Sequence, residues 1–319
     1  GPSLLISLPK KSGIAITSRL RGQFNITDLD GKLAKSILND VNSEITFPYT
    51  ISSGNNMRIN VNGWAEYGIS YGRVLKEEGN HFLKIGLTAK YLAGVGNTYL
   101  QVDQLTGIIT NNPNLLNSSV YLAPGSRGVI GLGISGNIGS LTPSDLLKSS
   151  SNGFGADLGL VYEYREGGTS NHPYKYRIAA SLLDLGSIKY ARDLNSSGTY
   201  TMLVTSFPGF DLATLQGISI DNYKQVLSNN PNFTPAANNN EPTLNVSLPT
   251  SLQLYGDVHI KNNIYLSAGT QISLSNRSNA ENPFVYSGIT ITPRYEGKGL
   301  GVYLPVNYNS LSKLSIGTT

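Results

Sequence analysis

Residues 244–275 alternate between apolar and polar side chains over two successive runs. Leu244, Val246, Leu248, Leu252, Leu254, Val258 and Ile260 fall on one face. Asn245, Ser247, Ser251, Gln253, Tyr255, Asp257 and His259 fall on the other. After Lys261-Asn262-Asn263 the pattern resumes, with Ile264, Leu266, Ala268, Ile272 and Leu274 set against Tyr265, Ser267, Gln271, Ser273 and Ser275. Successive side chains of a strand point to opposite faces, so this is a β-hairpin with one greasy and one wet side. Each run lasts about 15 residues, well past the roughly 5–6 of an ordinary globular strand. A tilted strand crossing a bilayer needs about 9–11.

The rest of the chain follows the same pattern. Period-two runs predict strands near 3–8, 13–25, 57–74, 81–100, 153–165, 174–191, 244–258, 263–275, 284–295, 299–306 and 311–318. Alternate connections are short: Pro9 to Ser12, Leu75 to Asn80, Glu166 to Pro173, His259 to Asn262 and Glu296 to Lys298. Those between them, near 26–56, 101–152, 192–243 and 276–283, are longer, although the last one, Asn307 to Ser310, is short. Short turns on one rim and long loops on the other is the layout of an outer-membrane barrel. The runs at 57–74 and 81–100 are long enough to extend beyond a hydrocarbon core of about 30 Å.

Composition agrees. Only 14% of the 319 residues are charged, 39% are hydrophobic, and 35 are Gly and 19 Tyr. Mean hydropathy is −0.13, and no apolar run reaches the roughly 18 residues of a membrane helix. The net charge of +4 comes without a Lys/Arg cluster interleaved with aromatics, so nucleic acid is not an expected partner. With no cysteine there are no disulfides, thiolate metal sites or cysteine nucleophiles. Six Asn-x-Ser/Thr triplets match the number expected by chance in so Asn- and Ser-rich a chain.

The expected fold class is therefore all-β: a transmembrane antiparallel β-barrel of about 14 strands (roughly 12–16, the count being even). Its extracellular loops are long and carry short helices. Residues 1–319 read as one barrel domain, lacking terminal strands and any periplasmic domain. Helical spacing of Leu33, Ile37, Leu38 and Val41 predicts one loop helix after Asp30. Leu212, Leu215, Tyr223, Val226 and Leu227 predict another, stopped by Asn229-Asn230-Pro231.

On the polar face, Arg19, Arg21, Arg58, Glu66, Lys84, Lys90, Asp157, Glu163, Arg165, Lys175, Arg177, Asp257 and Arg294 are assigned to the lumen. Both signs are interspersed, which predicts neutralising pairs rather than an ion path. Strict parity turns Asp184 toward lipid, where a charge is costly. A β-bulge between Leu183 and Gly186 is expected to re-aim it. Tyr67, Tyr71, Tyr91, Tyr162, Tyr164, Tyr176 and Tyr190 fall on the apolar face near strand ends, as interfacial girdles do.

Several motifs read more simply than their letters suggest. His81, His172 and His259 sit near one rim without the converging ligands a metal needs. Asp28-x-Asp30-Gly31 lacks the later Glu of a calcium loop, and Asp30 reads as a helix N-cap. Gly131-x-Gly133-x-x-Gly136 matches the dinucleotide fingerprint by letter only, and Gly125 to Gly139 is expected to be a pliable loop. No cofactor, no metal and no catalytic residue is expected, and the chain does not read as an enzyme.

Three stretches carry a family resemblance: GPSLLISLPKKSGIAITSRLRGQFN (1–25), WAEYGISYGRVLKEEGNHFLKIGLTAKYLAGVG (64–96) and IAASLLDLGSIKY (178–190). With them the chain resembles a Bacteroidota outer-membrane β-barrel family of undefined function. Many members of that family carry an OmpA-family label because a peptidoglycan-binding domain can follow the barrel. More distantly it looks like fatty-acid-transporter-type barrels, including the type IX secretion barrel. The resemblance implies a bacterial outer-membrane location, lipid and envelope-protein partners, and contact with peptidoglycan through a domain outside these residues. It carries no functional residues across. The expected role is a structural or accessory subunit of an envelope complex: secretion or outer-membrane protein assembly machinery, or peptidoglycan tethering. A channel or transporter for small solutes or lipids is the alternative, and a soluble β-rich adhesin a third.

Overall fold

The computed structural model describes residues 1–37, 46–52, 57–111, 120–136, 151–165, 174–216, 218–219 and 222–318. In chain order the strands are β1 (Ser3–Leu8), β2 (Ser12–Thr27), β3 (Tyr49–Ser52), β4 (Met57–Glu78), β5 (His81–Asn111), β6 (Val120–Leu122) and β7 (Arg127–Gly136). β8 (Asn152–Tyr164), β9 (Tyr176–Ala191), β10 (Gly198–Leu203), β11 (Phe210–Asp211), β12 (Phe233–Pro235), β13 (Thr243–Ser247) and β14 (Ser251–Lys261) follow. The last are β15 (Ile264–Ser273), β16 (Gly288–Glu296), β17 (Gly301–Tyr303), β18 (Val306–Asn309) and β19 (Lys313–Ile316).

The protein is all-β, and its strands form one antiparallel sheet. Its frame is a meander in which β1, β2, β4, β5, β8, β9, β14, β15, β16, β18 and β19 each pair with the next. Among the described residues no pairing joins β1 to β19, so the sheet is not closed.

The sheet is nonetheless strongly concave. Arg21 on β2 and Asp184 on β9 are in contact at 2.7 Å, yet four strand intervals separate them. On a flat sheet that is about 19 Å at roughly 4.8 Å per strand, more than the two side chains can span. The concave face carries the charges. The convex face presents Ile69, Leu87, Phe154, Leu158, Ile178, Leu254, Leu266 and Ile272, all exposed, Phe154 to 73% and Leu254 to 40%.

Three readings from sequence are corrected by the strand geometry. First, the run 244–258 is not one strand: it breaks into β13 and β14 around Leu248-Pro249-Thr250. Proline has no N–H for the ladder, and Thr250 instead donates its N–H to Leu248 O at 2.8 Å. The break shifts parity. Val246 and Leu248 are buried, and with Leu244 they pack against Trp64, Leu92, Ile188 and Tyr190. Leu254, Val258 and Ile260 remain exposed. Second, Tyr190 is not an outward girdle residue; it is 1% exposed and its hydroxyl donates to Gly63 O at 3.0 Å. Third, the glycine-rich tract is not a loop where it is described, because 127–136 forms β7 between β5 and β10. Gly133 lies under the Tyr99 ring, where an added Cβ would fall 2.0 Å from Cε1.

Beyond Ala93, β5 leaves β8 and pairs with β7, β3 and β6 instead. With β10, β11, β12 and the helices it encloses a second, apolar core on the long-loop side. Ile51, Leu105, Ile109, Leu122, Tyr200, Val204, Phe210, Tyr223 and Phe233 are among its members. Helix α1 (Gly31–Ile37) is capped by Asp30, whose Oδ1 accepts from the N–H groups of Lys32 and Leu33, each at 2.9 Å. A 3-10 turn (Leu212–Leu215) and helix α2 (Tyr223–Ser228) stand where the second loop helix was expected. Leu38, Val41, His172 and Gly139 lie outside the described residues. No described helix is long and apolar enough to cross a membrane.

Candidate functional site

The concave face holds three polar assemblies, stacked from the short-turn rim toward the loop-side core. At the rim, Glu163 accepts from Arg165 at 2.6 Å and from Arg177 at 2.7 Å. Arg165 also reaches Glu77 at 3.4 Å, and Lys11 pairs with the same carboxylate. Nearby, Asp257 takes hydrogen bonds from Arg294 (2.7 Å), Tyr174 (2.8 Å) and Tyr255 (3.1 Å), and Arg294 also pairs with Glu296.

The middle assembly is built on the bulge. The register of β8 and β9 shifts between Ala156 and Leu158, opposite Leu185 and Leu182. Asp184 takes a left-handed backbone (φ 57°) and Gly186 a φ of 140°, where L side chains are strained. Three hydrogen bonds hold this kink: Asp184 N to Asp157 Oδ1 (2.8 Å), Leu248 N to Gly186 O (2.9 Å) and Thr250 Oγ1 to Asp184 O (2.7 Å). The break between β13 and β14 therefore docks on the bulge in β9.

Turned inward, Asp184 accepts from Arg21 at 2.7 Å and Lys90 at 2.8 Å, and Lys90 also meets Asp157 at 2.6 Å. Glu66 accepts from Arg21 and Trp64, each at 2.9 Å, and from Arg19. The Arg21 guanidinium lies 4.9 Å from the centre of the Trp64 ring. Arg19, Arg21 and Lys90 thus balance Glu66, Asp157 and Asp184. Charges removed from water survive only when paired in this way.

Of the remaining lumen assignments, Lys84 and Lys175 are exposed. Arg58 is buried and belongs to the third assembly. His81 Nδ1 is 2.7 Å from Tyr162 Oη, and His259 Nε2 contacts Asn262 O. Among the described residues no three metal-ligating side chains converge.

The third assembly was not visible in the sequence. The connection from β15 to β16 turns into the concave face, burying Ala280, Asn282 and Phe284. A wall of carboxamides receives it. Register sets Asn25 beside Asn60 on β2 and β4, and Asn62 beside Asn97 on β4 and β5. Asn25 donates to Phe284 O at 3.0 Å and accepts from Phe284 N at 3.2 Å. Asn60 donates to Ala280 O (2.8 Å), while Asn62 (3.3 Å) and Asn97 (3.0 Å) donate to Glu281 O. Gln23 also donates to Phe284 O, and Arg58 to Asn279 O at 2.8 Å. The Phe284 ring sits between Arg58 and Arg277, 5.8 and 4.3 Å from their guanidinium carbons. Burial pushes the Glu281 carboxyl above the usual glutamate range, against the pull of Arg58. The only signal available in the sequence was the run of asparagines on the polar faces of three neighbouring strands.

The matching family model is described as a family of unknown function (DUF5723) and covers residues 3–319, so the chain belongs to that family. No match is found among curated proteins or solved structures.

Proposed function

We propose that this DUF5723 chain is the wall of an outer-membrane β-barrel. In this reading it serves as a structural or accessory subunit of an envelope complex, in secretion, in outer-membrane protein assembly, or in tethering the membrane to peptidoglycan. The observation that carries the reading is the inverted face pattern: a concave sheet with neutralised charges inside and exposed aliphatic residues outside. A water-soluble sheet would place those residues the other way round.

The parity shift at Pro249 supports the same reading. Below it, the outward residues of β14 include Leu254 and Val258; above it, Val246 and Leu248 point inward while Asn245 and Lys189 are exposed. On β9 and β13 the outward face changes there from apolar to polar, which supports a lipid boundary near the level of Asp184 on this side of the sheet. A paired lumen with a loop seated across it favours an accessory role over an open pore.

Fractionation of native envelopes tests the proposal. The expected result is recovery in the outer membrane, release only by detergent, co-purification with a protein partner, and silence in planar bilayers. Recovery as a detergent-free soluble monomer would overturn the membrane assignment. Steady single-channel conductance would replace the accessory role with transport.

A further inference from the structure

We propose that the carboxamide wall of Asn25, Asn60, Asn62 and Asn97 is a binding seat for extended polypeptide, occupied in cis by residues 279–284. That segment would be a plug that another chain can displace. The inference deepens the accessory-subunit reading and rests on it for the source of the incoming polypeptide.

The argument begins with what the wall contacts. Gln23, Asn25, Arg58, Asn60, Asn62 and Asn97 all donate to main-chain carbonyls, those of Asn279, Ala280, Glu281 and Phe284. Asn25 also accepts the Phe284 N–H, reproducing with one side chain the donor–acceptor pair that a neighbouring strand would offer. Carboxamides carry both donors and an acceptor and no charge, so such a wall reads a backbone whatever its sequence. Two side chains anchor the segment: the Phe284 ring beside Arg58, and the buried Asn282 carboxamide, whose Oδ1 accepts from Ser247 N at 2.9 Å.

The cis occupant is also an imperfect fit. Asn97 Oδ1 is buried and receives no hydrogen bond from the described residues, and a buried acceptor left unsatisfied is destabilising. A strand presenting one more N–H at that point would satisfy it. Glu281, the residue whose carbonyl Asn62 and Asn97 hold, brings a carboxyl that burial disfavours. Both features weaken the seated segment relative to a neutral competitor.

The experiment uses detergent-solubilised full chain and a fluorescein-labelled dodecapeptide copying residues 276–287. Release of the plug is followed by maleimide labelling of Ala280→Cys, a buried position in a chain without other cysteines. Phe284→Ala should raise that labelling and bind the peptide at least about ten-fold more tightly than the parent chain. Adding Asn62→Leu and Asn97→Leu should erase the gain. An oxidised Asn60→Cys/Ala280→Cys pair should block binding, and reduction should restore it. Heat-modifiable migration confirms that each variant is folded. Peptide binding that stays absent while Ala280→Cys is freely labelled would overturn the proposal, as would labelling that never rises. Either failure leaves co-purification with a partner untouched, so the seat and the accessory role are judged separately.

Discussion

The Lys90 ammonium lies 2.8 Å from a carboxylate oxygen of Asp184, a residue that unbroken strand parity would have turned to the opposite face of the sheet. One extra residue in β9 makes the contact, and the hydrogen bonds from Thr250 and Leu248 keep it.

Removing the carboxylate should therefore be expensive. Asp184→Ala strands Lys90, whose side chain is 3% exposed, with one remaining partner in Asp157. Breaking a buried pair from one side costs about 3–5 kcal/mol. The expected outcome is a clear fall in the unfolding midpoint in detergent, measured by loss of heat-modifiable migration against urea. Arg19→Ala, whose side chain is half exposed, should shift the midpoint far less.

Gly186→Ala should damage the same region through the backbone. At φ 140° an L side chain is strained, and the added Cβ would lie 2.1 Å from Phe154 O. A loss of at least about 2 kcal/mol is expected, with no change in charge. A midpoint equal to the parent chain would show that the bulge is not needed.

A cation on the exposed aliphatic face of β15 should cost more than one in an exposed turn. Leu266→Arg places a charge on the exposed aliphatic face, and about 2–4 kcal/mol is expected near the middle of a bilayer. Thr270→Arg, on a half-buried position, is not a matched control; Leu300→Arg, in the exposed turn before β17, is. Refolding into vesicles compares them, and equal yields would remove lipid from the argument.

Seating of the plug should depend on pH through Glu281. Its seated pKa is raised by burial, so the seated form holds its proton more tightly than the free segment. Seating is then strongest below the ordinary glutamate range and is lost progressively as pH rises through the raised value. Arg58 and Arg192 oppose the effect without reversing it. Proton–deuterium exchange at residues 279–284, corrected for intrinsic rates, should accelerate with pH in the parent chain beyond the change seen in Glu281→Gln.

Much of this was legible in sequence because period-two alternation is a local property. The β14–β15 hairpin and the side of the sheet carrying Glu66, Lys90 and Glu163 follow from it, while the loop helix capped by Asp30 follows from the equally local helical spacing. Alternation does not say which face is which, however. At Leu248-Pro249-Thr250 the apolar letters continue while the chain shifts parity, so Leu248 is buried and Leu254 exposed although both fall on the same count. The glycines of β7 look like a flexible loop until Tyr99 is placed over Gly133. The asparagine wall was silent for another reason. Its partners are main-chain carbonyls more than 180 residues away in sequence, and no residue type announces a carbonyl.

Strand β5 spans 31 residues, joined at one end to β8 and at the other to the core formed by β3, β6 and β7. The two halves of the molecule share a spar rather than a tether. Its irregularities fall at Val95 and at Gln104-Leu105, where Gln104 takes a left-handed backbone (φ 49°), so a pull applied to the loop-side half meets two bulges of the shared strand before it reaches the depth of Lys90.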